Sequence, residues 1–123
     1  MEINKLLIVD DEPSFANAIS SLIACYGYTV RVAKNGQEAL KEAHSFLPEL
    51  VVTDVIMKGG DGLELILNLR KTLPSIKIIA MTGGGKISAA DYLKTAEFFS
   101  ADALLEKPFS SVQLAQLIKK LEK

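Results

Sequence analysis

Five short apolar runs, each stopped by a polar or turn residue and followed by helical spacing, limit what this chain can fold into. They are Leu6–Val9, Thr29–Ala33, Leu50–Met57, Ile76–Met81 and Ala103–Leu105. Most are too short and too uniformly apolar for surface helices, and they read as strands, several of them buried on both faces. The run Thr29–Ala33 instead alternates, Val30 and Val32 inward and Arg31 outward, as a strand nearer the sheet edge does. Five βα units of roughly 25 residues each predict an α/β fold, a parallel sheet with helices on both faces. Right-handed crossovers leave few topologies, and the common five-stranded one has strand order 2-1-3-4-5, with a crevice between the first and third strands. At 123 residues the chain is expected to be one domain, residues 1–123, with no linker or low-complexity segment.

The helices between the strands carry their own start and stop signals. Pro13 suits a first helical position, and Phe15, Ile19, Leu22, Ile23 and Tyr26 share one predicted face before Gly27. Asn35 with Glu38 predicts a capped second helix, with Ala39, Ala43 and Phe46 or Leu47 inward and Pro48 at its end. Asp61-Gly62 opens a third, with Leu63, Ile66 and Leu67 toward the sheet, closing before Pro74. Ser88 and Asp91 predict the start of a fourth, carrying Leu93, Ala96 and Phe99. Ser110 with Gln113 caps the last, whose stripe is Leu114, Leu117, Ile118 and Leu121.

Composition excludes several classes. Net charge is −1 with no basic stripe, which argues against direct nucleic-acid binding. The apolar runs are too short to span a membrane, and the N-terminus shows no signal-peptide pattern. The single cysteine, Cys25, forms no internal disulfide, fits a reducing cytoplasm, and is expected to pack among Leu22, Ile23 and Tyr26. His44 is expected to face solvent.

The carboxyl ends of the strands carry the chemistry. Asp10-Asp11 follow the first strand, Asp54 sits in the third run, Thr82 follows the fourth and Lys107 the fifth. In open α/β sheets ligands bind beyond these ends. Carboxylates crowded there repel by ~4 kcal/mol for unit charges ~4 Å apart at an effective dielectric near 20, so the site needs a proton, a lysine or a metal. Oxygen-only donors favour Mg²⁺. Acids, a divalent ion, a lysine and a hydroxyl together suit a phosphoryl group, with Asp54 as the nucleophile that becomes an aspartyl phosphate. Gly83–Gly85 lack the lysine-serine pattern of a phosphate-binding loop.

In order, LLIVDDEP, GYTVRVAKNGQEAL, VVTDVIM…DG, IIAMTG and ADALLEKPF make the chain resemble the receiver domain of two-component response regulators, over essentially its whole length. The resemblance implies a flavodoxin-like doubly wound fold. It implies that Asp10, Asp11 and Asp54 bind Mg²⁺ together with the backbone carbonyl of Ile56. Asp54 would be the phosphoacceptor, Thr82 the switch hydroxyl and Lys107 the phosphate contact, with a cis bond before Pro108. It further implies a cytoplasmic phosphorelay protein, phosphorylated by a sensor histidine kinase or histidine phosphotransfer protein. Its readout would lie on the fourth helix, fifth strand and last helix, acting on a downstream effector or a fused output domain.

The sequence departs from the family pattern at Leu104, where many receivers carry an aromatic residue. It departs again at Met57-Lys58, where methionine-proline is usual. The glycines that follow suggest a loop that orders on Mg²⁺ and phosphate binding. Ile56 and Gly84, both non-polar, suggest slow self-dephosphorylation. Other readings make different demands. A receiver-like docking module independent of phosphorylation would not need the acids, Thr82 and Lys107. A flavin electron carrier would need a hydroxyl-rich loop where Asp10-Asp11-Glu12 stand. An aspartate phosphatase would need Asp-x-Asp after the first strand.

Overall fold

The computed structural model describes residues 2–57, 60–82 and 101–122. Five parallel strands form one sheet: β1 (Lys5–Val9), β2 (Thr29–Ala33), β3 (Leu50–Asp54), β4 (Lys77–Thr82) and β5 (Ala103–Glu106). Their spatial order is β2-β1-β3-β4-β5, as the βα alternation predicts. Leu6 lies between Val30 and Leu50, and the register continues through Val51–Ile78 and Ala80–Leu104. Just beyond β3, Ile56–Met57 and Gly60–Asp61 pair as a short antiparallel ribbon. No local pattern in the sequence signals it, and Asp61 belongs to this ribbon and not to the helix that follows.

Helices α1 (Pro13–Ala24), α2 (Gly36–Phe46) and α3 (Gly62–Thr72) and a C-terminal helix (Ser111–Leu121) cover the sheet. Successive strand side chains alternate between two cores. Leu7, Val9, Val51, Ile78 and Ala80 pack with Ala39 and Ala43 of α2 and Leu65, Ile66 and Leu69 of α3. Leu6, Ile8, Leu50, Val52, Ile79 and Met81 pack with Ala16, Ile19 and Ile23 of α1 and Leu114 and Ile118 of the C-terminal helix. Burial on both faces explains why the central strands read as unbroken apolar runs. The edge strand β2 leaves Thr29 and Arg31 exposed, as its alternation predicts.

The helix boundaries follow the caps. The Asn35 side chain accepts from the Glu38 N–H at 2.8 Å, but the Glu38 carboxylate reaches back to the Lys34 N–H, one residue earlier than a capping box requires. Ser110 and Gln113 form the complete reciprocal box.

Several inward assignments are wrong by one step around a helix, about 100°. The buried stripe of α1 is Ala16, Ile19 and Ile23, while Leu22 and Tyr26 are about half exposed. The stripe of α3 is Leu65, Ile66 and Leu69, which leaves Leu67 exposed. Leu47 ends α2 in the left-handed conformation and is exposed, while Phe46 is buried. Cys25 is also exposed, contrary to the expectation of packing, because it caps α1 in helical conformation about 200° round from the inward Ile23. His44 is exposed, as expected, beside the Thr72 hydroxyl at 3.2 Å. The expected fourth helix, Gly83–Gly85 and the Lys58-Gly59 step lie outside the described residues.

Candidate functional site

The two-residue period of the strands sorts the polar groups at their carboxyl ends. Leu6 and Ile8 of β1 point toward α1, as do Val52 of β3 and Leu105 of β5. Continuing the alternation places Asp10, Asp54 and Lys107 on that same side, while Thr82 falls on the side of Leu104. The contacts agree. The Lys107 ammonium donates to Asp10 Oδ2 at 2.6 Å and to Asp54 Oδ2 at 3.1 Å. Carboxylate oxygens of Asp10, Asp11 and Asp54 all lie within 4.8 Å of one another.

Burial grades the three acids. Asp10 is 1% exposed, whereas Asp11 and Asp54 are only partly covered. A charge as deep as Asp10 needs partners. It has the ammonium on Oδ2 and the Glu12 N–H on Oδ1 at 2.9 Å, where the chain turns into α1. Burial alone would lower the Lys107 pKa. The hydrogen bond to Asp10, the charges of Asp54 and Asp10 and the bond to Asp54 together outweigh it, and hold the ammonium above its ordinary range.

Thr82 is buried at the end of β4 and joins the site through its backbone, its carbonyl accepting from the Lys107 N–H at 2.7 Å. The peptide bond between Lys107 and Pro108 is cis, as expected from the resemblance. Ile56 begins the ribbon directly after Val55, whose N–H donates to the Met81 carbonyl.

The donor set fits a hard divalent ion. All three acids offer oxygen, two are open enough to leave room for water, and none is a sulfur or imidazole ligand. An octahedron of 2.0–2.1 Å bonds has oxygens about 2.9–4.2 Å apart, a spread that fits inside the 4.8 Å within which these carboxylate oxygens lie.

Two further residues shape the site, and the sequence reading assigned neither of them a role in it. Gly62, read as a helix start and as the glycine of the DG in the family pattern, donates its N–H to the Val55 carbonyl at 2.9 Å and lies against the Asp54 backbone. Its position just after an aspartate beyond the third strand was the available clue. Phe15, read only as part of a helix face, sits with its ring 4.6 Å from the Lys107 ammonium. Nothing in the sequence pairs positions so far apart.

Residues 6–119 match the family model of the response regulator receiver domain. The chain is 39% identical over 123 residues to the probable transcriptional regulator ycf27 of Cyanophora paradoxa, covering 98% of this chain and 50% of that protein. It is 34% identical over 115 residues to the alkaline phosphatase synthesis transcriptional regulatory protein PhoP of Bacillus subtilis, covering 94% and 47%. With the nitrogen assimilation regulatory protein NtrX of Azorhizobium caulinodans it shares 32% over 111 residues, covering 89% and 24%. The chain thus spans half or less of these curated relatives. Among solved structures, a CheY-like receiver domain protein from Methanospirillum hungatei superposes with a TM-score of 0.87 at 26% identity, covering 98% of this chain and 94% of that one. The receiver domain of a signal transduction histidine kinase from Syntrophus aciditrophicus gives 0.84 at 28%, covering 96% and 89%. A doubly wound sheet with three acids and a lysine at its carboxyl edge, matched along nearly its whole length by these relatives, belongs to the response regulator receiver domain family.

Proposed function

We propose that residues 1–123 act as one receiver unit in two-component phosphorelay signalling, taking a phosphoryl group from a phosphohistidine onto Asp54. The observation that carries this reading is the shared hold of Lys107 on Asp10 and Asp54 beside Asp11. An Asp54 carboxylate oxygen attacks phosphorus, the bond from phosphorus to the donor's imidazole nitrogen breaks, and that nitrogen leaves with the electron pair. Lys107 lies where it can turn from the carboxylates to a phosphoryl oxygen. Asp10, Asp11, Asp54 and the Ile56 carbonyl would hold Mg²⁺. Bound there, the ion neutralises charge on the transferring oxygens. Thr82 serves as the switch hydroxyl.

The domain is a signalling acceptor and catalyses only its own phosphorylation and dephosphorylation. Its phosphoryl donor is a sensor histidine kinase or a histidine phosphotransfer protein. Its readout is the face around β5 and the C-terminal helix, directed at an effector protein or a fused output domain. The reading places it in the cytoplasm, without direct nucleic-acid or membrane contact of its own; no helix among the described residues is long and apolar enough to cross a membrane.

Labelling with acetyl phosphate tests the reading. Mg²⁺-dependent incorporation into the native chain and none into Asp54→Asn is the expected result. Equal absence in both would leave the family fold with only a docking role.

A further inference from the structure

Lys107 is held from three directions, and only two of them are carboxylates. Its ammonium lies 2.6 Å from Asp10, 3.1 Å from Asp54 and 4.6 Å from the centre of the Phe15 ring. Phe15 is itself fixed by Phe109, the rings meeting edge-on at 87° with centres 5.6 Å apart. Phe109 lies two residues beyond Lys107, so the aromatic pair joins the start of α1 to the segment that carries the lysine.

The two kinds of hold respond differently to a divalent cation. Asp10 and Asp54 belong to the same acid cluster that offers oxygens to a metal. A cation drawing on those oxygens competes with the ammonium and repels it. An aromatic face offers no oxygen to a hard ion, yet its quadrupole still attracts the ammonium. We propose that Phe15, braced by Phe109, is a positioning residue that keeps Lys107 at the acid cluster when a divalent cation takes up the carboxylates.

The proposal rests on the phosphoacceptor reading above for its consequence, and on geometry alone for the placement of the ammonium. Phe15→Leu keeps an apolar side chain in the partly buried position but removes the ring, whereas Phe15→Tyr keeps the ring. With acetyl phosphate at saturating Mg²⁺, the Asp54 carboxylate takes the phosphoryl group and acetate leaves. The rate of this step is expected to fall roughly three- to tenfold in Phe15→Leu and to be restored in Phe15→Tyr. Mg²⁺ affinity of the phosphate-free protein should change less than about twofold in both, since the acids are untouched.

A second measurement does not depend on phosphorylation. The Lys107 side-chain protons next to the ammonium should show an upfield ring-current shift by NMR that persists on Mg²⁺ addition and is lost in Phe15→Leu. A native rate in Phe15→Leu, an equal fall in Phe15→Tyr, or a ring-current shift that vanishes when Mg²⁺ binds the native protein would each overturn the proposal. If the native chain takes up no phosphoryl group while the shift persists with Mg²⁺, the phosphoacceptor reading fails and the positioning of Lys107 stands.

Discussion

Gly62 meets the main chain of Asp54 so closely that a methyl group on its Cα would lie 1.8 Å from the Asp54 carbonyl oxygen. The same methyl would be 2.8 Å from the Asp54 carbonyl carbon and 2.9 Å from the Val55 Cα. All three atoms are main chain, which cannot swing away as the end of a side chain can. The first turn of α3 therefore buttresses the strand end that presents the candidate nucleophile.

Gly62→Ala must push α3 away from β3 or shift the Asp54 carbonyl. We expect a loss of about 2–4 kcal/mol, in the upper part of the ordinary overpacking range and beyond it because the clash is with backbone. Urea unfolding measures the loss. The NMR response to Mg²⁺ with beryllofluoride should be lost or shifted at Asp54 while the amides of β1 and β2 stay native.

Three carboxylates within 4.8 Å of one another, against the ammonium of Lys107, crowd negative charge at the metal-free site. Asp11→Asn should therefore raise the stability of the metal-free protein by about 1 kcal/mol at neutral pH, the repulsion being moderated by partial solvent exposure. Native protein should gain about 1.4 kcal/mol from Mg²⁺ at ten times its Kd, and the Asp11→Asn variant clearly less at the same concentration. Thermal unfolding with and without Mg²⁺ separates the two effects.

Removing the ammonium takes the cationic partner from the buried Asp10. Lys107→Met is expected to cost about 2–4 kcal/mol in the absence of divalent ions. The folded-state pKa of Lys107 is raised above its ordinary 10.5, so its contribution is fully present below pH 10.5 and is lost as pH rises through the raised value. The stability gap between native and Lys107→Met protein should thus be constant between pH 7 and about pH 10 and shrink above that. Denaturant titrations across this range would contradict the assignment if the gap closed below about pH 9.

At the opposite edge of the sheet, Asp102 ties β5 to its neighbours. Its Oδ2 accepts from Arg70 at 2.6 Å and from the Ile78 N–H at 2.7 Å, while another Arg70 nitrogen donates to the Ile76 carbonyl at 2.6 Å. Asp102→Ala should cost about 1.5–3 kcal/mol, the range for charge-assisted bonds that leave a partner unmet. Amide exchange of Ala103–Glu106 should accelerate ahead of the central strands, because among the described residues β5 is an edge strand paired to β4 alone.

Strand identity, strand order and the edge that carries the acids were legible in the sequence, because each is a local pattern repeated five times. Apolar runs of strand length, helical spacing between them and polar residues at one end leave few alternatives to a doubly wound sheet. Asp10, Asp11, Asp54 and Lys107 could be grouped for the same reason, since topology brings strand ends together whatever the side chains do. Helix faces were not fixed by apolar spacing alone: Ala16 and Leu65 turn inward while Leu22 and Leu67 stay exposed, since a rotation of one residue depends on what the opposing layer offers.

Only the tertiary structure decided which groups touch. The period of the strands sends Thr82, which ends β4, and Lys107, which follows β5, to opposite sides, and that parity depends on where each strand begins to pair. The approach of Gly62 to Asp54 depends on how steeply α3 leaves the ribbon. The ring of Phe15 against Lys107 depends on packing between residues 92 positions apart, with Phe109 meeting the same ring edge-on. Chain-local patterns chose the fold and its reactive edge; distances between distant segments, set by packing, decided how the lysine and the acids are held there.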